Sequence, residues 1–247
     1  MPFFARATAL AEAMAGVPGD VSSIFYNPAG IDSKTISFSL TEWFLDTRAG
    51  SCAGSYNYKN YFNIGAGISY FSYGQMEYVD EQGNITGKFS AYLTQARIGL
   101  SKQYKIFSFG LATKLLDEQI ETITKTKFAT DLGVLVNTKL FNTGVGIQDL
   151  AICDQTLVNW GVSIKPIKDL LIACDINFQE GTKVKIGLEY YYRPLFLRTG
   201  YTDSKVSFGL GYMRNNFIFD YAVSSRSQLG LTHHFSFTIK YIPNLSR

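Results

Sequence analysis

The sequence predicts an all-β chain: a closed, antiparallel, fourteen-stranded transmembrane β-barrel with a short N-terminal hatch. Three observations carry this expectation. From residue 35 onward apolar and polar residues alternate with the period of a two-faced strand, in fourteen segments. Charged residues are only 17% of the chain and aromatic residues 15%, against an average charged share of about 25%. Glycine is plentiful at 22 and proline scarce at 6, as suits strands joined by tight turns. A soluble sandwich needs a charged surface that this composition does not supply. A membrane barrel turns its apolar face to lipid and its polar face to the lumen, which accounts for both the low charge and the aromatic excess.

Residues 1–34 lack strand alternation and form the first unit. Phe4 to Ala15 is alanine-rich and reads as a short helix, and Gly16 to Gly30 as a loop of turn residues. Val21, Ile24, Phe25 and Tyr26 are too apolar for a solvated tail, so the segment is expected inside the barrel. Phe25, Tyr26, Asn27, Pro28, Ala29 and Gly30 then face the lumen wall or a bound apolar ligand. In the Asn-Pro-Ala-Gly turn, Asn27 bonds nearby backbone, Pro28 restricts φ and Gly30 permits a positive φ.

The second unit, 35–241, holds the strands, expected near 35–46, 48–58, 61–73, 88–102, 105–117, 128–137, 140–150, 156–165, 169–179, 182–192, 195–202, 205–213, 216–224 and 229–241. Alternation is clearest late in the chain. Val206, Phe208 and Leu210 alternate with Ser207 and Gly209, and Phe235, Phe237 and Ile239 with Ser236 and Thr238; these apolar residues are expected to face lipid. On the other face, Lys183, Lys185, Glu189, Arg198, Asp220 and Lys240 are expected to point into the lumen and pair there, because isolated charge in a narrow interior is costly. Glycines 65, 67, 209 and 211 read as residues that make room inside the barrel. Even-numbered connections are short. The early odd-numbered ones, 74–87, 118–127 and 151–155, read as longer extracellular loops, with Met76 and Tyr78 as candidate apolar anchors for a protein partner. An even strand count places both termini on the periplasmic side. Residues 242–247 form a C-terminal tail.

Several function classes are disfavoured. The net charge of +3 comes without a basic stripe, so nucleic acid is not an expected partner. Cys52, Cys153 and Cys174 have no C-x-x-C spacing, and adjacent His233 and His234 face opposite sides of a strand, so no metal site or cofactor is expected. Ser224, Ser225 and Ser227 near those histidines lack a nucleophile motif, so no catalytic residue is assigned and an enzyme is not expected. No apolar run is long enough for a transmembrane helix. Arg6 and Glu12 interrupt any signal-peptide core, so an export signal is expected to be missing from this sequence.

The strings Ala5-Arg6-Ala7-Thr8-Ala9-Leu10-Ala11-Glu12-Ala13 and Gly19-Asp20-Val21-Ser22-Ser23-Ile24-Phe25-Tyr26-Asn27-Pro28-Ala29-Gly30-Ile31 carry a resemblance, extended by Thr41-Glu42-Trp43-Phe44, Gly187-Leu188-Glu189-Tyr190 and Leu197-Arg198-Thr199-Gly200-Tyr201. This pattern resembles the PorV/PorQ outer-membrane proteins, relatives of the FadL-type fatty-acid transporters. The resemblance implies a fourteen-stranded barrel with an N-terminal hatch in the bacterial outer membrane, in contact with its lipid and with the barrel assembly machinery. It implies one of two roles: passive transport or binding of hydrophobic small molecules, or an accessory function in type IX secretion that receives cargo proteins at the cell surface.

Overall fold

The structure, a computed structural model, describes residues 4–31, 34–43, 47–59, 61–150, 156–179, 181–203, 205–226 and 230–241. Cys153, Ser227, the expected loop 151–155 and the tail 242–247 lie outside the described residues. A one-and-a-half-turn helix α1 (Ala5–Ala9) and two 3-10 turns (Val21–Phe25 and Pro28–Gly30) precede the strands. These are β1 (Thr35–Glu42), β2 (Arg48–Tyr58), β3 (Phe62–Val79), β4 (Ile85–Tyr104), β5 (Phe107–Ile120), β6 (Ile123–Asn137) and β7 (Phe141–Gln148). They continue as β8 (Leu157–Ile167), β9 (Leu170–Gln179), β10 (Gly181–Tyr192), β11 (Leu195–Thr202), β12 (Lys205–Arg214), β13 (Phe217–Arg226) and β14 (Gly230–Lys240).

Every strand pairs antiparallel with its sequence neighbours, and β1 closes the barrel on β14, with Thr35 opposite Lys240 and Glu42 opposite His233. Closure satisfies every strand's ladder and leaves no edge. The termini of the barrel wall, the start of β1 and the end of β14, meet at one end, where Lys34 Nζ lies 5.4 Å from the Tyr56 ring centroid and 5.3 Å from that of Tyr241.

The two faces follow the alternation. On β12, Phe208 is 57% and Leu210 55% exposed on the outside, while Ser207 is buried on the inside. Phe235 faces out on β14, beside the half-buried Phe237 and Ile239, while His234 and Ser236 face in and are buried. The inside is small and polar and the outside apolar, the reverse of a soluble protein. Around the end that holds the termini the outer face carries exposed Tyr56, Tyr58, Tyr104 and Tyr192, a partial aromatic belt. From β10 to β14 the strands are 8 to 12 residues long, matched to the ~9–11 residues of a tilted crossing. Leu210→Arg, mid-strand on the outer face, is expected to destabilise the barrel by about 2–4 kcal/mol in lipid. Equilibrium denaturant unfolding in vesicles reads this, and a loss below about 0.5 kcal/mol would mean that this face does not meet lipid.

The expected loops 74–87 and 118–127 are instead strand. β3 runs to Val79 and β4 starts at Ile85, and only Glu121 and Thr122 separate β5 from β6. Gly74 looks like a loop boundary, but its φ of +79° sits in a β-bulge, where the register with β4 shifts between Ser72 and Gln75. The turn that ends the hairpin is built by Asp80, whose Oδ1 accepts from the backbone N–H of Gln82 (3.0 Å) and Asn84 (2.7 Å). Met76 and Tyr78 are therefore strand residues, and the Tyr78 ring packs on Phe89 with centroids 4.7 Å apart, engaged within the chain.

Candidate functional site

Three of the six expected lumen charges, Glu189, Arg198 and Asp220, converge. On β11, Arg198 Nε donates to Glu189 Oε2 on β10 (2.6 Å) and its Nη1 to Asp220 Oδ1 on β13 (2.6 Å). The strand between, β12, offers Gly209 and Gly211 on that face. A Cβ on Gly211 would lie 2.8 Å from Arg198 Nη1, so the missing side chain is what lets the guanidinium reach across. Glu189 also accepts from Arg6 Nε and Nη2 (2.8 and 2.9 Å), and Arg6 Nη1 donates to Asp20 (2.5 Å). Five charges thus join the N-terminal segment to three strands. Glu12 forms a second, looser junction, 3.6 Å from Lys185 and 3.5 Å from Lys205.

Lys183 and Lys240 depart from the expected pairing: both are exposed, and neither has an ion pair among the described residues. Lys183 lies two residues inside the start of β10 and Lys240 is the last residue of β14. Hydration at a strand end removes the need for a partner.

The opposite wall holds the segment by neutral and charge-assisted hydrogen bonds to its backbone. Arg97 Nη1 donates to the Ile24 carbonyl (3.1 Å) and to Asp131 Oδ2 (2.7 Å), and Lys114 pairs with Asp149 beside them. Gln148 Nε2 donates to the Phe25 and Tyr26 carbonyls (2.8 and 2.5 Å), and Ser101 Oγ and Asn63 Nδ2 to that of Ile31 (2.6 and 3.0 Å). Asp175 Oδ2 accepts from the Ala15 N–H (2.8 Å), and Ser163 Oγ donates to the Gly16 carbonyl (2.7 Å). Asn27 caps the second 3-10 turn, its Oδ1 accepting from the Ala29 N–H (3.1 Å) while Nδ2 donates to the Ala15 carbonyl (2.8 Å). Asp175→Ala leaves the buried Ala15 N–H without its acceptor, and about 1–3 kcal/mol of stability is expected to be lost. A thermal or denaturant midpoint equal to that of the parent would show the bond to be idle.

Phe25, Tyr26, Asn27, Pro28, Ala29 and Gly30 are all buried. Phe25 lies under the Arg97 guanidinium, 5.3 Å from its carbon, and 5.9 Å from the Phe4 ring. Gly30 does not take the expected positive φ; it is needed for space, since a Cβ there would lie 2.8 Å from Ser23 Oγ.

Where the backbone of this segment comes closest to the wall, the wall offers glycine. A Cβ on Gly67 of β3 would lie 2.7 Å from the Phe25 ring, and one on Gly133 of β6 would meet Asn27, Ala29 and Pro28. Gly110 of β5 faces Pro28 and Ala29, Gly146 of β7 the Tyr26 carbonyl, and Gly161 of β8 the backbone of Gly16. Across the barrel, Gly187 of β10 and Gly200 of β11 lie against Leu10 and Ala11, and Gly209 of β12 against Ala9. Many of these glycines are direct neighbours: Gly110 with Gly133, Gly133 with Gly146, Gly144 with Gly161, and Gly187 with Gly200. They form a collar shaped to the backbone of residues 9–29. Sequence reasoning singled out Gly67 and Gly209 but missed the collar, together with Arg97, Asp131, Gln148 and Asp175. The available signal was glycine recurring on the inward parity of successive strands.

The histidines diverge as adjacent strand residues must. His234 Nδ1 bonds Thr41 Oγ1 (2.8 Å) inside, and His233 Nδ1 bonds the Tyr221 hydroxyl (2.8 Å) outside. Ser224 Oγ lies 3.4 Å from His234 Nε2, but a hydroxyl rather than a carboxylate stands behind the ring, so the histidine lacks the anion that orients a general base.

Two cavities stand out, one in the wall and one beside the segment. The larger, about 560 Å³, lies in the outer wall among Phe38, Leu40, Leu210, Tyr212, Phe219, Tyr221, Phe235 and Phe237, a valley between two rows of apolar side chains. A polar one of about 120 Å³ adjoins Pro18, Gly19 and Gly30 and is lined by Asn63, Ser101, Gln103, Ser108 and Asn137 near the end of the barrel that holds the termini.

No family model matches the chain, and no curated protein matches it by sequence. Solved structures do. A TodX deltaS2S3 mutant monoaromatic hydrocarbon channel superposes with a TM-score of 0.79 at 13% identity, covering 97% of this chain and 99% of its own. The Ralstonia pickettii toluene transporter TbuX gives 0.71 at 12% identity over 95% and 98%. A Pseudomonas aeruginosa FadL homologue gives 0.70 at 10% identity over 98% and 99%. At these identities the likeness is one of fold.

Proposed function

We propose that the chain is a FadL-like outer-membrane barrel of PorV/PorQ type that passes hydrophobic small molecules, with residues 3–31 as a hatch in its lumen. The observation that carries the reading is the glycine collar. Strand interiors are weakened by glycine, so a wall that places it against one short segment is built to receive that segment. The outward apolar face supports a lipid surrounding, and with it dependence on barrel assembly machinery. The neighbours described as hydrocarbon channels and toluene transporters support the solute class.

The hatch packs an apolar cluster of its own residues against Ala53, Ala112, Leu171 and Ala173 of the wall, and hydrogen bonds and ion pairs fix it around that cluster. The polar contacts can exchange with water or solute one at a time, which suits a part that must move. Deleting residues 3–31 is expected to raise toluene flux into proteoliposomes. A deletion variant that assembles normally, keeps its heat-modifiable mobility and shows parental flux would remove the gating role. A loss of assembly yield or heat stability without extra flux would assign the segment a structural role instead.

A further inference from the structure

The two junctions that tie the N-terminal segment to β10–β13 differ in kind. Arg6 and Arg198 make direct contacts of 2.5–2.9 Å with their carboxylates. Glu12 instead stands off from two ammonium groups, Oε2 at 3.6 Å from Lys185 and Oε1 at 3.5 Å from Lys205. Each oxygen addresses a different lysine, the arrangement a free carboxylate takes between two point cations.

We propose that Lys185 and Lys205 form a carboxylate seat which Glu12 occupies as a tethered stand-in, and that the carboxylate of an incoming organic acid displaces the Glu12 side chain from it. This rests on the reading of residues 3–31 as a hatch.

Position supports exchange. Lys205 is the first residue of β12 and Lys185 the fifth of β10, so both stand toward the end of the barrel away from the termini. Their side chains are 14% exposed and that of Glu12 20%, so the seat is reached by solvent, unlike the Arg198–Asp220 pair at 2% and 6%. Lys183, exposed two residues nearer the strand start on the same face, extends the cationic approach. Of the nearby acids, Asp175 lies opposite Lys185 in the register but its carboxylate is turned to the Ala15 N–H. Lys183, Lys185 and Lys205 therefore outnumber Glu12 and Asp175, and the site retains attraction for a second anion.

The backbone presents the Glu12 side chain from a fixed turn. Ala11 and Glu12 hold φ of +51° and +64°, a region that side chains other than glycine rarely adopt. The turn lies directly on Gly187 and Gly200. Backbone hydrogen bonds hold it there, from the Ala11 N–H to the Thr8 carbonyl (2.9 Å), the Glu12 N–H to that of Ala7 (2.8 Å) and the Ala13 N–H to that of Leu10 (3.0 Å), so exchange frees the Glu12 side chain while residues 10–13 stay on the collar.

Benzoate titrated calorimetrically into the full chain in nanodiscs tests this, with neutral benzyl alcohol as control. A tethered competitor acts at millimolar effective concentration, so Glu12→Gln is expected to tighten benzoate binding by about tenfold or more and leave benzyl alcohol unchanged. Lys205→Gln, at the strand start, serves as a second variant whose folding is not in question, and it should weaken benzoate binding. Equal or weaker benzoate affinity in Glu12→Gln, an equal gain for benzyl alcohol, or no effect of Lys205→Gln would overturn the seat. Toluene flux that rises on deletion of residues 3–31 while benzoate ignores Glu12→Gln would leave the hatch standing and remove the seat alone. A benzoate gain in Glu12→Gln with no flux change on deletion would remove the gate and keep the seat.

Discussion

Gly133→Leu is expected to drive residues 27–29 off the wall and open the barrel without unfolding it. A Cβ at this position would meet Asn27 Oδ1, lie 2.8 Å from the Ala29 nitrogen and 3.0 Å from Pro28 Cδ, and the rest of the leucine has nowhere to go. These neighbours are backbone, a proline ring and a capping amide that already holds two carbonyls, so none can give way alone. The strand itself tolerates the change, because leucine disfavours extended backbone less than glycine does. Solute flux should rise toward that of the deletion variant, and the segment should become open to protease while the barrel keeps its heat-modifiable mobility. Gly50→Ala is the matched control: it lies on the outer face, with Leu40 at 3.8 Å the nearest atom to a new Cβ. Parental flux and parental protection in Gly133→Leu would show that residues 27–29 do not depend on this seat.

Alternation is enough to read strand number and facing, because period two separates the sides wherever Val206, Phe208 and Leu210 face outward and Ser207 and Gly209 do not. It says nothing about height along the strand. Lys183 and Lys185 share one face, yet the first is exposed and the second reaches Glu12, a difference set by distance from the strand start. Nor does it say which glycines become neighbours. Gly110 and Gly133 pair across β5 and β6 and meet the same turn, and only the register brings them together with Asn27, more than eighty residues away in sequence. The hairpin at 74–87 was obscured by chemistry: Gly74 satisfies the rules for a loop and for a bulge equally, and only pairing with β4 decides between them. Arg97 escaped notice because it holds the Ile24 carbonyl, a backbone group with no sequence signature, and Asp131 because it acts through Arg97.

Arg198→Leu is expected to destabilise the protein strongly. Among the described residues its guanidinium is the only ion-pair partner of Asp220, and it shares Glu189 with Arg6. Removing it leaves a carboxylate at 6% side-chain exposure without a cation, while Glu189 keeps Arg6. Breaking a buried pair from one side typically costs about 3–5 kcal/mol, because the remaining charge stays desolvated. Arg198→Lys should recover only part of this, since one ammonium cannot address Glu189 and Asp220 from the two ends of a planar fork. Asp220→Asn added to Arg198→Leu should restore more, because it removes the stranded charge and leaves a neutral amide. Denaturant midpoints of the three variants in lipid give the ordering directly. Arg198→Leu within about 0.5 kcal/mol of the parent, or a double variant less stable than the single, would mean that the network does not hold β10, β11 and β13 together.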